Sequence, residues 1–160
     1  MLDVIGVGDM KISTNKDCTL VTYALGSCLG ITIYDPVAYV GGLLHIMLPL
    51  STIDSAKANE NPYMFVDTGV PKFFLSAYKA GAKKERLIVK VAGGSCRSGN
   101  SDEDFFNIGK RNFIMLRKLL WKNNVLLKSY DVGENLSRTM FLEIGTGEVY
   151  LKINGETKKI

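Results

Sequence analysis

Two apolar runs, Leu29–Tyr34 and Tyr39–Met47, flank the tetrapeptide Asp35-Pro36-Val37-Ala38. Proline presets φ for the second position of a type I turn and aspartate favours the first, so this segment predicts a β-hairpin. Asp3–Val7 and Thr19–Ala24 read as further strands, separated by a polar loop at Ser13–Asp17. Beyond the hairpin, Pro49–Pro62 is polar and predicts a long, mobile loop. A helix is expected over Thr68–Ala80, with Thr68 as its cap, Pro71 in its first turn and Gly81 at its end. Its apolar stripe is Phe73, Phe74, Ala77 and Tyr78. A second helix fits Ile108–Lys122, where Phe113, Leu116, Leu119 and Leu120 recur at helical spacing.

Arg86–Ala92 reads as a strand leading into a loop, Gly93–Asn100. Val125–Val132, Thr139–Ile144 and Glu148–Ile153 are strands, the last two joined by Gly145-Thr146-Gly147. A mostly β order with two inserted helices argues against a doubly wound parallel sheet and for a layered α+β fold. The 160 residues suit one domain, 1–160, with a core that needs no disulfide or metal staple.

With 46% hydrophobic and 22% charged residues the chain is not of disordered composition. A net charge of +4, from cations dispersed over several segments, argues for a solvated surface and no nucleic-acid partner. No apolar run approaches the ~20 residues of a membrane helix, so no membrane insertion is expected. The start, MLDVIGVGDM, lacks the basic and apolar regions of a secretory signal, so the expected location is cytoplasmic. Three cysteines, an odd number, suit a reducing compartment. Cysteines at 18, 28 and 96 with a histidine at 45 match no compact zinc module, and no metal or cofactor is expected.

Any imidazole chemistry in this chain must run through His45, its single histidine. With the hairpin turn centred between Pro36 and Val37, Tyr34 faces Tyr39 and Cys28 faces His45. Opposed residues of an antiparallel pair share a face of the sheet. A longer loop, or a bulge at Gly41-Gly42, changes that register. Cys28 follows Gly26 and Ser27, where glycine permits a sharp turn and leaves backbone N–H groups free to hold an oxyanion. A thiol with an imidazole partner is the minimum pair for acyl transfer. The same residues also admit a plain reading, a buried structural thiol and a core imidazole within Leu43–Met47. Cys18 and Cys96 have no histidine partner and read as ordinary thiols. Gly93-Gly94 reads as a tight backbone passage, since no GxxxxGK pattern follows to make a phosphate cradle.

Several blocks together carry a family resemblance. They are Thr22-Tyr23-Ala24-Leu25-Gly26-Ser27-Cys28, Tyr34-Asp35-Pro36, and His45-Ile46-Met47-Leu48-Pro49. Further on come Lys90-Val91-Ala92-Gly93-Gly94, Ile108-Gly109-Lys110-Arg111-Asn112, and Asp131-Val132-Gly133 with Arg138. In this order the chain resembles the CheD family, the chemoreceptor glutamine deamidases of bacterial and archaeal chemotaxis. The resemblance implies a three-layer α/β/β sandwich, similar to the catalytic domain of cytotoxic necrotizing factor toxins. It implies a cysteine hydrolase with Cys28 as nucleophile, His45 as general base and Thr22 completing the triad, though Thr22 also suits a plain strand. Ser27, Gly26, Gly93 and Gly94 become candidates for the oxyanion site or a substrate loop.

The implied substrate is a glutamine on the cytoplasmic helical bundle of a chemoreceptor, converted to glutamate. A CheC-like phosphatase is the implied binding partner, and the alternative reading is a module that mainly docks to it. Arg111, Asn112 and Arg138 either support loops or touch substrate, and the structural role is favoured. Glu134 and Ser137 stand where the family tends to carry glycine, and Ser95–Ser98 is also unusual, which bears on substrate or partner preference.

Overall fold

The computed structural model describes residues 1–96 and 107–160. Arg97, Ser98, Gly99 and Asn100 of the expected loop lie outside the described residues. The centre of the fold is the hairpin formed by β4 (Leu29–Asp35) and β5 (Val40–Ile46). Every residue of both strands is buried. A strand covered on both faces is apolar throughout, which is why these two runs dominate the sequence.

Alternate side chains of the hairpin serve two separate cores. Leu29, Ile31, Ile33, Val40, Leu44 and Ile46 face a helical layer, α2 (Val66–Lys79) and α3 (Ile108–Lys122), meeting Val66, Val70, Phe73, Ala77, Leu116 and Leu120. Tyr34 and Leu43 face the other way, toward a second sheet that supplies Leu20, Met140, Leu142 and Leu151. The first sheet adds β2 (Asp9–Ser13), β6 (Ile88–Gly93) and β7 (Leu127–Val132), in the order β2-β5-β4-β6-β7. The second contains β1 (Leu2–Val4), β3 (Thr19–Leu25), β8 (Arg138–Glu143), β9 (Val149–Ile153) and β10 (Glu156–Lys159), in the order β1-β3-β8-β9-β10. Helices, sheet and sheet stack as the expected α/β/β sandwich.

The hairpin register differs from the expected one. Asp35 pairs with Val40 and Gly30 with His45, so the connecting loop is Pro36–Tyr39, and the ladder runs through Gly41 and Gly42 without a bulge. Two-residue hairpin loops favour turns with positive φ at their first position, which proline forbids. The chain therefore turns over four residues, and Tyr39 takes the left-handed conformation with φ 54°.

Three further expectations are corrected. Pro49–Pro62 is a string of short helical turns, including α1 (Ser55–Glu60), whose first turn is held by the Asp54 carboxylate accepting from the Lys57 N–H at 3.0 Å. Helix α2 begins at Val66, ahead of Thr68, whose hydroxyl donates to Pro62 O at 2.6 Å; Pro71 lies inside the helix. The apolar face of α2 outweighs that one missing donor. Strand β10 escaped the sequence reading because it is solvent-facing and lacks an apolar pattern; β2, whose Met10 and Ile12 alternate with polar residues and pack on the helical core, escaped because it is only five residues long.

Asp35 ties the hairpin tip to the segment that leads into β6. Its buried carboxylate accepts from the amides of Val37 at 2.9 Å and Ala38 at 3.1 Å, and from that of Lys83 at 2.9 Å. The Arg86 guanidinium adds a charge-assisted pair at 2.8 Å. These donors hold the Asp35 carboxyl far below the usual carboxylate range despite burial. A depressed native pKa confers stability that is complete above the ordinary value, 3.8, and lost as pH falls below it. Asp35→Asn should therefore destabilise the fold by about 2–4 kcal/mol in urea unfolding at neutral pH. The gap to wild type should narrow in acid; a gap constant down to strongly acidic pH would refute the assignment.

Candidate active site

Strand β3 belongs to the second sheet and β4 to the first, so Gly26-Ser27-Cys28 is where the chain changes sheets. The β3–β8 register slips between Thr22 and Leu25, and Ala24 within that slip has φ 54°. A bulge of this kind bends a strand and re-aims its end. The carbonyls of the loop are all held. Gly26 O accepts from the Ser95 N–H at 2.9 Å and Cys28 O from the Gly94 N–H at 2.9 Å. Ser27 O accepts from Asn112 Nδ2 at 3.0 Å. The amides of Ser27 and Cys28 have no acceptor among the described residues. Gly93 makes the close approach possible: its φ is +109°, and a Cβ there would sit 2.2 Å from Cys28 O. The Gly94 amide is already engaged, so Gly93 and Gly94 support the loop from behind.

His45 is 3% exposed and points into the space between the sheets. Its Nδ1 lies 2.7 Å from Thr22 Oγ1. The Thr22 hydroxyl donates its own hydrogen to Ile5 O, also at 2.7 Å. Having given that hydrogen away, Oγ1 can only accept from the ring, which places the imidazole proton on Nδ1. The other nitrogen, Nε2, then carries a lone pair; it is buried and has no hydrogen-bond partner among the described residues. Ile5 is the contributor that sequence reasoning missed, because it acts through a backbone carbonyl and leaves no side-chain signal.

The observed register replaces direct opposition of Cys28 and His45 with a diagonal relation. Gly30 faces His45, and Cys28 lies two residues before Gly30. Because the shift is by two, Cys28 keeps the inter-sheet side and packs on the inter-sheet core. Diagonal neighbours lie ~7–8 Å apart at Cα, within reach of a long or aromatic side chain. Gly30 has no side chain to stand between them. Among the described residues no hydrogen bond joins Cys28 Sγ to the ring. Burial pushes the Cys28 thiol up and lowers the His45 imidazole to about 4. The resting pair is therefore a neutral thiol and a neutral imidazole.

The remaining candidates lie outside this cluster. Arg138 is buried and joins the sheets, donating to Asp131 Oδ1 at 2.8 Å, Gly133 O at 2.9 Å and Gly93 O at 3.3 Å. The segment around Glu134 lies against the Gly94–Cys96 loop, the Cys96 N–H donating to Glu134 O at 2.8 Å. Arg111 is exposed on α3. Cys18 is buried and its thiol donates to Asp3 Oδ2 at 3.4 Å, while Cys96 lies 3.0 Å from Asn107 Oδ1.

Residues 47–153 match the family model described as CheD chemotactic sensory transduction. The chain belongs to the CheD family. The matched span begins just past Cys28 and His45, but CheD relatives align over nearly the whole chain. One, "Probable chemoreceptor glutamine deamidase CheD 1" of Syntrophus aciditrophicus, is 51% identical and covers 95% of this chain and 94% of its own. The protein of that name from Solibacter usitatus is 49% identical over 98% of this chain and 92% of its own. That of Syntrophotalea carbinolica is 39% identical over 95% and 94%. Among the described residues no helix of this CheD protein is long and apolar enough to cross a membrane.

Burial of His45 has a thermodynamic signature. An unfolded chain protonates this histidine near 6.5, the folded chain only at about 4. Between those values the unfolded state binds the extra proton, so acidification favours unfolding. Relative to His45→Gln, wild-type stability should fall by up to about 3 kcal/mol between pH 6.5 and 4. Parallel curves for the two proteins would contradict a buried neutral imidazole.

Proposed function

We propose that this protein is a chemoreceptor glutamine deamidase in which Cys28, His45 and Thr22 form the catalytic set. One observation carries the reading beyond the names of the relatives. The only imidazole in the chain is buried with Nδ1 pinned to a hydroxyl and Nε2 unpartnered among the described residues, on the same side of the sheet as a half-buried thiol. A structural histidine would have both nitrogens satisfied.

The reaction follows from those roles. As Cys28 Sγ attacks the glutamine Cδ, its proton passes to His45 Nε2, and the amides of Ser27 and Cys28 receive the oxyanion. The imidazolium returns the proton to the leaving nitrogen. Ammonia departs and a thioester remains. Nε2 next takes a proton from water as the water attacks the thioester. That proton goes back to sulfur as glutamate is released. Thr22 holds the ring orientation, a role a carboxylate fills in better-known triads. A hydroxyl stabilises imidazolium less, which suits a base that rests neutral. The substrate is a glutamine side chain displayed on the surface of a receptor's cytoplasmic helical bundle.

Ammonia release from a receptor fragment tests the reading. Cys28→Ala should reduce it to background, and His45→Ala should lower it by about 10²–10⁴-fold. Thr22→Val, nearly the same shape, should lose about tenfold while folding normally. Wild-type turnover in Thr22→Val would return Thr22 to a plain strand role.

The pH profile offers a separate check. Since the free His45 titrates at about 4, kcat/KM should be nearly flat from pH 5.5 to 8. An acid limb near 6.5 would show that His45 is solvated in the free enzyme.

A further inference from the structure

Asn112 sits in the first turns of α3, on the layer opposite the inter-sheet space, and is fully buried. Its Nδ2 donates one hydrogen to Ser27 O and the other to Met47 O, both at 3.0 Å. Ser27 precedes the nucleophile; Met47 lies two residues beyond the base, just past the end of β5. The two hydrogens of a planar amide are fixed relative to each other. One rigid group therefore sets the spacing between the loop that carries Cys28 and the strand that carries His45.

The same helix face is seated against the neighbouring loop. Gly109, three residues earlier, packs so closely that a Cβ would lie 2.2 Å from Ser95 O and 2.6 Å from Gly94 O. Gly94 and Ser95 in turn donate to Cys28 O and Gly26 O. The N-terminal end of α3 thus grips the nucleophile loop twice, through backbone at Gly109 and through the Asn112 amide.

The other end of the amide makes a second, independent point. Asn112 Oδ1 is buried with no partner among the described residues. An unsatisfied buried acceptor is unfavourable, and it persists where something else requires the group. Here the required part is the NH₂: no other side chain of this size offers two rigid donors and no charge.

We propose that Asn112 is a positioning residue for the deamidation, holding Cys28 and His45 at the spacing that lets the thiol proton reach Nε2. The proposal rests on the Cys28–His45 reading above. Misplacement of a nucleophile by about 1 Å can lower turnover 10²-fold. Asn112→Ala should accordingly lower kcat by about 10- to 100-fold and change KM by less than about threefold, since no substrate contact is lost.

A double-mutant cycle on Cys28 alkylation by iodoacetamide separates positioning from loss of fold. In wild type, removing His45 should slow alkylation at pH 7. In the Asn112→Ala background the same removal should have little effect, because the imidazole no longer reaches the thiol. If His45→Ala slows alkylation equally in both backgrounds, Asn112 is structural only and the proposal is overturned. If His45→Ala has no effect even in wild type, the Cys28–His45 pairing itself is wrong, a distinguishable failure. Far-UV circular dichroism and thermal unfolding report whether the variants fold. Should Asn112→Ala not fold, Asn112→Ser keeps one donor and should show partial coupling; full coupling in a folded Asn112→Ser protein would overturn the proposal.

Discussion

The hydrogen bond from His45 Nδ1 to Thr22 Oγ1 crosses between two sheets through a space otherwise filled by Leu20, Leu25, Leu43 and Met140. A polar contact in such surroundings is costly to leave incomplete, so each member must be satisfied in turn. Thr22 achieves this by donating to Ile5 O, and the short turn after β1 brings that carbonyl over the histidine. The Gly8 N–H then donates to His45 O at 2.9 Å, tying the same turn to β5. The packing of β1, β3 and β5 around one imidazole is thus a condition for burying it. What remains unsatisfied among the described residues of this set is Nε2, between the same two sheets that Cys28 packs between.

Much of this arrangement was legible in the sequence. The near-continuous apolar runs at Leu29–Tyr34 and Tyr39–Met47 marked a hairpin, and it proved to be the middle layer. Cys28 and His45 share a face of the sheet despite an error in the turn. Reading a two-residue loop where four residues stand moves the register by two, and an even shift leaves both side chains on the same face. An odd error would have sent His45 into the helical layer. The even shift had a second consequence: it put Gly30, a residue the sequence offered no reason to single out, directly opposite the imidazole. Strand β10, Ile5 O and the helical turns of Ser51–Met64 stayed hidden because backbone groups and short polar segments carry no periodic signal.

Loop 26–28 separates two demands on one stretch of backbone. Its carbonyls are bound by Ser95, Asn112 and Gly94, which fixes its position, while the amides of Ser27 and Cys28 are left without acceptors among the described residues. Holding a loop by its acceptors preserves its donors for charge that forms only during reaction. That is the condition for electrostatic preorganisation, in which dipoles are aimed before the charge exists. Asn112 fits the same logic, since a donor-only clamp is what carbonyls need.

In the proposed reaction, burial of His45 works at first sight against catalysis. A base that titrates at about 4 is weak, and the imidazolium it must form is disfavoured in the free site. Burial also raises the Cys28 thiol, so neither partner ionises alone. Both shifts share one physical cause, the absence of a counter-charge in a low-dielectric space. Attack of sulfur on the substrate supplies that counter-charge, because negative charge develops on the carbonyl oxygen as the proton arrives on Nε2. Each charge then stabilises the other where screening is weak, and the basicity of the imidazole rises in step with bond formation. The same surroundings that keep the pair neutral at rest strengthen the attraction between the charges once both exist. Proton transfer is therefore coupled to attack on an electrophile, which keeps the thiol neutral until one is in place.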